Sequence, residues 1–184
     1  MGTPKALLRD RAGVSLLARS IGVLLEAGCA EVVVVTGASA DEAAAVLGDT
    51  GWNADPAVRV VVAEDWREGM GASLRSGLCV LHGMSADSAL VSLVDLPDVG
   101  AAVARRVLER LGCHADVLGR ASYDGVAGHP VLIGRNHWRG VIASATGDRG
   151  ARDYLEEHRP ELVECGDLAT GKDVDVPDDL PSDS

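Results

Sequence analysis

Ser88-Ala89-Leu90-Val91-Ser92-Leu93-Val94-Asp95-Leu96-Pro97-Asp98 decides how the chain is read. The run up to Val94 is short, apolar and rich in branched side chains, as a buried strand is. It ends in Asp95, a Pro-containing turn and Asp98. From about Gly100 the spacing changes, and Val103, Val107, Leu108 and Leu111 share one helical face before Gly112 stops it. Strand, loop and helix in that order make one unit of a sheet covered by helices.

Similar units lie on either side. Strands are expected at 31–36, 58–63, 89–94, 117–121, 130–133 and 162–165. Leu17, Ile21, Leu24 and Leu25 fall on one helical face, as do Met70, Leu74, Leu78 and Leu81, and shorter helices are expected at 41–47 and 151–157. The alternation predicts an α/β fold with a mostly parallel sheet. No internal repeat and no linker rich in Pro, Gly or Ser divides the 184 residues, which predicts one domain over 1–180 and an acidic tail at 181–184.

Composition removes several classes of function. Phe is absent and the aromatic residues are three Trp and two Tyr, so the core must be aliphatic and platforms for stacking single-stranded bases are lacking. Seventeen Lys and Arg against 28 Asp and Glu give a net charge of −11, the reverse of the basic footprint of a nucleic-acid binder. A single nucleotide stays possible, because a divalent metal and a few local cations override global charge inside one cleft. No apolar run reaches the length of a membrane span, and the N-terminus lacks the pattern of a signal peptide. The four cysteines lie 34 to 52 residues apart without a C-x-x-C pair. These features predict a reduced, cytoplasmic protein without membrane or nucleic-acid partners.

In an open α/β sheet, ligands bind beyond the carboxyl ends of the strands, which puts Asp95 in the expected crevice. A carboxylate there suits magnesium, an ion that takes a few carboxylate and water ligands while bridging phosphates. The competing role is a cap on the turn or on the helix that starts near Gly100. A second acidic cluster, KDVDVPDD at 172–179, aims Asp173 and Asp175 to one side if extended. Either could complete a metal shell, and the plain alternative is a solvated acidic end. Gly71, Ala72 and Ser73 stand where a loop becomes a helix, so a flat base could approach the backbone, or the residues could simply cap the helix. His129, in Gly128-His129-Pro130, could place an imidazole in the cleft, and Arg149 and Arg152 could meet a phosphate; a structural histidine and a solvated face are the plain readings. Lys5 has no distinguishing context of its own.

Taken together, these stretches resemble the MobA-like nucleoside-triphosphate transferases, most closely the molybdenum cofactor cytidylyltransferases. The matching runs are MGTPKALL at 1–8, AGCAEVVVVTG at 27–37, WREGMGASLRSGL at 66–78, LVDLPD at 93–98, GHPVLIG at 128–134, GDRGAR at 147–152 and DVDVPDDL at 173–180. They follow one another over nearly the whole chain. The resemblance implies a Rossmann-like three-layer sandwich, the nucleotidyltransferase fold, with the family's first strand and Gly-rich loop expected to be absent from this chain, which starts at the Met of that loop. It implies a magnesium-dependent enzyme that moves a nucleoside monophosphate, CMP from CTP before GMP from GTP, to a phosphorylated molybdopterin-type acceptor and releases pyrophosphate. A molybdoenzyme or its chaperone is then a possible partner. Lys5 would contact the nucleotide phosphates, Gly71, Ala72 and Ser73 would line the base pocket, Asp95 with Asp175 or Asp173 would bind magnesium, and His129, Arg149 and Arg152 would face the acceptor. The alternatives are a guanylyltransferase of the same family and a non-catalytic nucleotide- or pterin-binding paralogue.

Overall fold

The computed structural model describes residues 5–10 and 13–173. Along them run helices α1 (Leu16–Glu26), α2 (Ala40–Thr50), α3 (Met70–His82), α4 (Ala101–Leu111), α5 (Arg135–Ser144) and α6 (Arg152–His158), with strands β1 (Val32–Thr36), β2 (Val58–Val62), β3 (Ser88–Val91), β4 (Leu118–Tyr123), β5 (Val126–Gly134) and β6 (Glu161–Glu164). Local chemistry sets several boundaries. Ser15 is fully buried and its Oγ accepts the amide of Ala18 at 3.1 Å, which caps α1. Gly112 ends α4 at φ 72°, a left-handed conformation that favours glycine.

The strands form two sheets. β1 and β2 pair in parallel, and a four-stranded sheet runs β3-β5-β4-β6. Within it β5 is antiparallel to β3 and β4, and β6 is parallel to β4, so β3, β4 and β6 point one way and β5 alone opposes them. This is the α/β architecture with a mostly parallel sheet that the pattern predicts. Alternate side chains of β5 feed two cores: Leu132 joins Val103, Val107, Val117 and Val163 on the α4 face, while Val131 and Ile133 join Leu78, Trp138, Val141 and Leu155 on the face covered by α3, α5 and α6. A third cluster, Leu17, Ile21, Val32, Val34, Val46 and Leu47, holds α1 and α2 on β1. Helices thus cover both faces and the core is aliphatic apart from Trp138 and Tyr123.

Three elements differ from expectation. β3 ends at Val91 and not Val94, because Leu93 and Val94 owe their apolar character to packing against two different core clusters, not to strand pairing. β5 begins at Val126, because Asp124 and Gly125, both at positive φ, close a two-residue hairpin with β4. Helix α5 has no predicted counterpart. It is fixed by Trp138, fully buried with Nε1 donating to the Ile133 carbonyl at 2.9 Å, and by Arg135, whose guanidinium donates to the carbonyls of His82, Met84 and Ala86 just past α3.

The hairpin between β4 and β5 contains a bulge. Arg120 pairs with Val131 and Ser122 with Ala127, so Gly128, His129 and Pro130 together face Ala121 alone. Pro130 offers no N–H for a ladder at that point. The hairpin tip is held from β6 by Glu164, whose carboxylate accepts Ser122 Oγ at 2.8 Å and the amides of Asp124, Gly125 and Gly166 at 2.9, 3.2 and 2.9 Å. These donors, Ser122 first, depress its pKa to about 2. A depressed carboxylate stabilises the fold above its ordinary titration range and ceases to do so as it takes up a proton. Thermal midpoints should therefore drop between pH 4.5 and 2, and Glu164→Gln should flatten that part of the profile while lowering the midpoint at neutral pH. An unchanged profile in the variant would show that the clamp does not hold the hairpin.

Candidate active site

Beyond β3 the chain turns and presents Asp95 with its side chain 23% exposed. Its Oδ2 accepts Lys5 Nζ at 3.0 Å, and the same ammonium lies 3.7 Å from Asp173 Oδ2. Three residues singled out in the sequence, from the first turn of the structure, the β3 loop and the segment after β6, therefore meet at one point. Asp95 does not cap α4, whose N-cap is Gly100 without a side-chain hydrogen bond. Asp175, the other carboxylate named with Asp173, lies outside the described residues. Among the described residues, one ammonium and two carboxylates meet here.

His129 sits in the β5 bulge, half-buried. Burial, and then the charge of Arg120, push its imidazole down to about 4, against the opposing pull of Asp95. At neutral pH the ring is uncharged and can both donate and accept one hydrogen bond. The carbonyls freed by the bulge are taken up by side chains: Arg120 Nε donates to Gly128 O at 2.8 Å and Tyr123 Oη to His129 O at 2.6 Å. Burial raises the pKa of Tyr123, which keeps that hydroxyl a donor.

Arg120 carries no motif that marks it in the sequence. Burial and then the charge of Arg152 lower its pKa, so the two guanidiniums lie within electrostatic reach of one another, and Arg120 lies within reach of His129. The available signal was an arginine inside a six-residue strand, LGRASY, next to buried small residues. Arg149, by contrast, is exposed and tied to Asp153 one turn further along.

The loop entering α3 packs closely on the turn at 145–148. A Cβ on Gly69 would lie 2.5 Å from Asp148 Oδ1, and one on Gly71 would lie 2.9 Å from the Ala145 carbonyl carbon. Gly69 also has φ 108°, so a side chain there is excluded twice. Gly71 and Ala72 are buried and Ser73 is half-buried on the first turn of α3. Arg75, another residue the sequence did not single out, ties this turn down by donating to Ala145 O at 2.7 Å and to Glu68.

Residues 1–162 match the model of the MobA-like NTP transferase domain. A curated relative, Nicotine blue oxidoreductase of Paenarthrobacter nicotinovorans, is 34% identical over 183 residues, covering 94% of this chain and 84% of that protein. The manganese complex of Rv0371c from Mycobacterium tuberculosis H37Rv superposes with a TM-score of 0.70 at 28% identity, over 89% of this chain and 82% of that one. A 4-diphosphocytidyl-2C-methyl-D-erythritol synthase shares the fold, with a TM-score of 0.67 at 19% identity over 95% of this chain and 90% of that one.

The state of His129 is directly measurable. In an NMR titration its ring signals should remain those of neutral imidazole until the pH approaches 4. Because the folded form resists protonation, stability should fall as pH drops from 6.5 towards 4, by up to about 3 kcal/mol, and His129→Asn should remove that slope. A titration midpoint near 6.5 would overturn this account of the bulge.

Proposed function

The chain belongs to the MobA-like NTP transferase domain family, and from that membership we propose that it moves a nucleoside monophosphate, CMP from CTP, to a phosphorylated acceptor of molybdopterin type with release of pyrophosphate. The observation that carries this reading is the meeting of Lys5, Asp95 and Asp173. Two carboxylates that already share one cation form a donor set of hard oxygens, which fits magnesium or manganese. The manganese complex of the mycobacterial relative supports a divalent ion in this fold. Asp95 and Asp173 would hold magnesium, with Asp175 as the alternative second carboxylate, and the ion's chemistry there is to neutralise the triphosphate.

The residues of the chain supply the rest. Lys5 places its ammonium on the nucleotide phosphates. The first turn of α3, with Gly71, Ala72 and Ser73, forms the wall against which the base lies, Ser73 offering its hydroxyl to the base edge. An oxygen of the acceptor phosphate attacks the α-phosphorus in line, the new P–O bond forms, the bond to the β-phosphate breaks and pyrophosphate leaves. His129, uncharged at neutral pH, orients the acceptor by hydrogen bonding, and Arg152 and Arg149 attract its phosphate. Positioning and charge neutralisation supply the catalysis.

The kinship with Nicotine blue oxidoreductase favours a second reading, an oxidation–reduction that acts on nicotine blue. The two separate by assay: pyrophosphate release from an NTP against a change in the redox state of nicotine blue.

Asp95→Asn should lower pyrophosphate release about 10²-fold or more, the loss expected of a group stabilising charge in the transition state, with little change in thermal midpoint. Activity retained within a few fold would remove Asp95 from the reaction. In titrations with magnesium and each NTP, CTP should bind more tightly than GTP by about 1–3 kcal/mol, the cost of leaving buried polar groups of the base pocket unpaired. Tighter binding of GTP would assign guanylyl transfer to the same site.

A further inference from the structure

Asp98 follows Asp95 by three residues, and its carboxylate is used differently. Oδ2 accepts two hydrogen bonds from one residue, the amide and the hydroxyl of Thr170, each at 2.6 Å. Thr170 Oγ1 in turn accepts the amide of Lys172 at 3.4 Å, which tightens the turn leading to Asp173. The segment from Cys165 to Asp173 is anchored at several points: Cys165 donates its amide to Ser122 O at 2.8 Å, Thr170 is held by Asp98, and Asp173 meets Lys5. Between the last two, Gly171 crosses the Tyr123 ring, where a Cβ would stand 2.3 Å from the ring carbons, so the segment lies against Tyr123 at a distance no other residue tolerates. The hydroxyl of the same Tyr123 holds the His129 carbonyl.

Three residues of chain reach at most about 10 Å, so fixing Thr170 confines Asp173 to a small volume around the Lys5 ammonium. We propose that Asp98 is a positioning residue: by fastening Thr170 it holds Asp173 against Lys5 and so completes the carboxylate pair with Asp95. The two aspartates of one turn then divide the work, Asp95 contributing its charge to the site and Asp98 delivering the second charge from a segment 72 residues away. This rests on the nucleotidyltransferase reading for its consequence in the reaction. The latch itself does not depend on that reading.

The test compares Asp98→Ala, which removes the acceptor of both bonds, and Thr170→Val, which removes the hydroxyl bond and leaves that of the amide, with Asp98→Asn and Thr170→Ser, which keep an acceptor and a hydroxyl. Hydrogen exchange should accelerate at residues 168–173 in the first pair only. Lys5, read by mass spectrometry after limited acylation, should react faster in the first pair, to the level of Asp173→Asn. Manganese binding, measured by electron paramagnetic resonance of the free ion, should weaken about 10-fold in the first pair, the scale for a group that orients a ligand, and remain near wild type in the second. Faster exchange with wild-type Lys5 labelling would overturn the proposal, since the segment would have opened without moving Asp173. Unchanged exchange would overturn it too. A wild-type protein that binds no manganese would count against the metal role of Asp95 and Asp173, while the Lys5 labelling would still decide the latch.

Discussion

A backbone donor that Pro130 cannot supply organises the site. Where β5 passes Ala121, three residues stand against one, and the ladder with β4 resumes only at Val131. A bulge of this kind leaves carbonyls in need of partners and turns a side chain out of the strand's alternation. Arg120 and Tyr123 meet the two carbonyls, and His129 is the side chain turned out. Gly128 is required there as well, since a Cβ would lie 2.6 Å from the Tyr123 ring. The bulge is tolerated because the strand on its far side is so well buried: Val131, Leu132 and Ile133 are each 1–2% exposed and pack into two opposite cores.

Electrostatics around the bulge run against the composition of the chain. A protein of net charge −11 sets Lys5 on Asp95 beyond β3 and brings Arg120 of β4 within reach of Arg152, while several of its carboxylates are spent elsewhere. Glu164 is committed to four donors, Asp98 to Thr170 and Asp167 to Arg106. Local arrangement, not the sum of charges, sets what an anionic substrate would meet.

Much of the fold was legible because burial leaves a period in the sequence. The strands at β1, β2 and β6 and the helices α1, α3 and α4 stand where branched runs and helical spacing place them. The carboxylates at 95 and 173 were legible for a different reason, their position after a strand and in an alternating acidic run. What escaped depends on partners distant in the chain. The apolar signal at Leu93 and Val94 reports packing and not pairing, so it overran the strand. Helix α5 buries only Trp138 and Val141, and the pocket of Trp138 and the carbonyls that Arg135 meets exist only in the folded protein. Arg120 reads as an ordinary strand residue until the bulge supplies it with the Gly128 carbonyl. Asp98 has no visible task until Thr170 is brought to it.

The division into two sheets has a mechanical meaning. Among the described residues no ladder bond joins β1 to β3; the β1–β2 pair is coupled to the larger sheet through α1, α3 and side chains such as Val94, and Gly77 of α3 lets the helix settle on Val35. Packed side chains yield to small sliding displacements at the cost of a few contacts, whereas a hydrogen-bonded ladder moves only by breaking in register. Among the described residues, hydrogen bonding therefore unites the larger sheet that carries His129 and Arg120, and side-chain packing alone unites it with the smaller one.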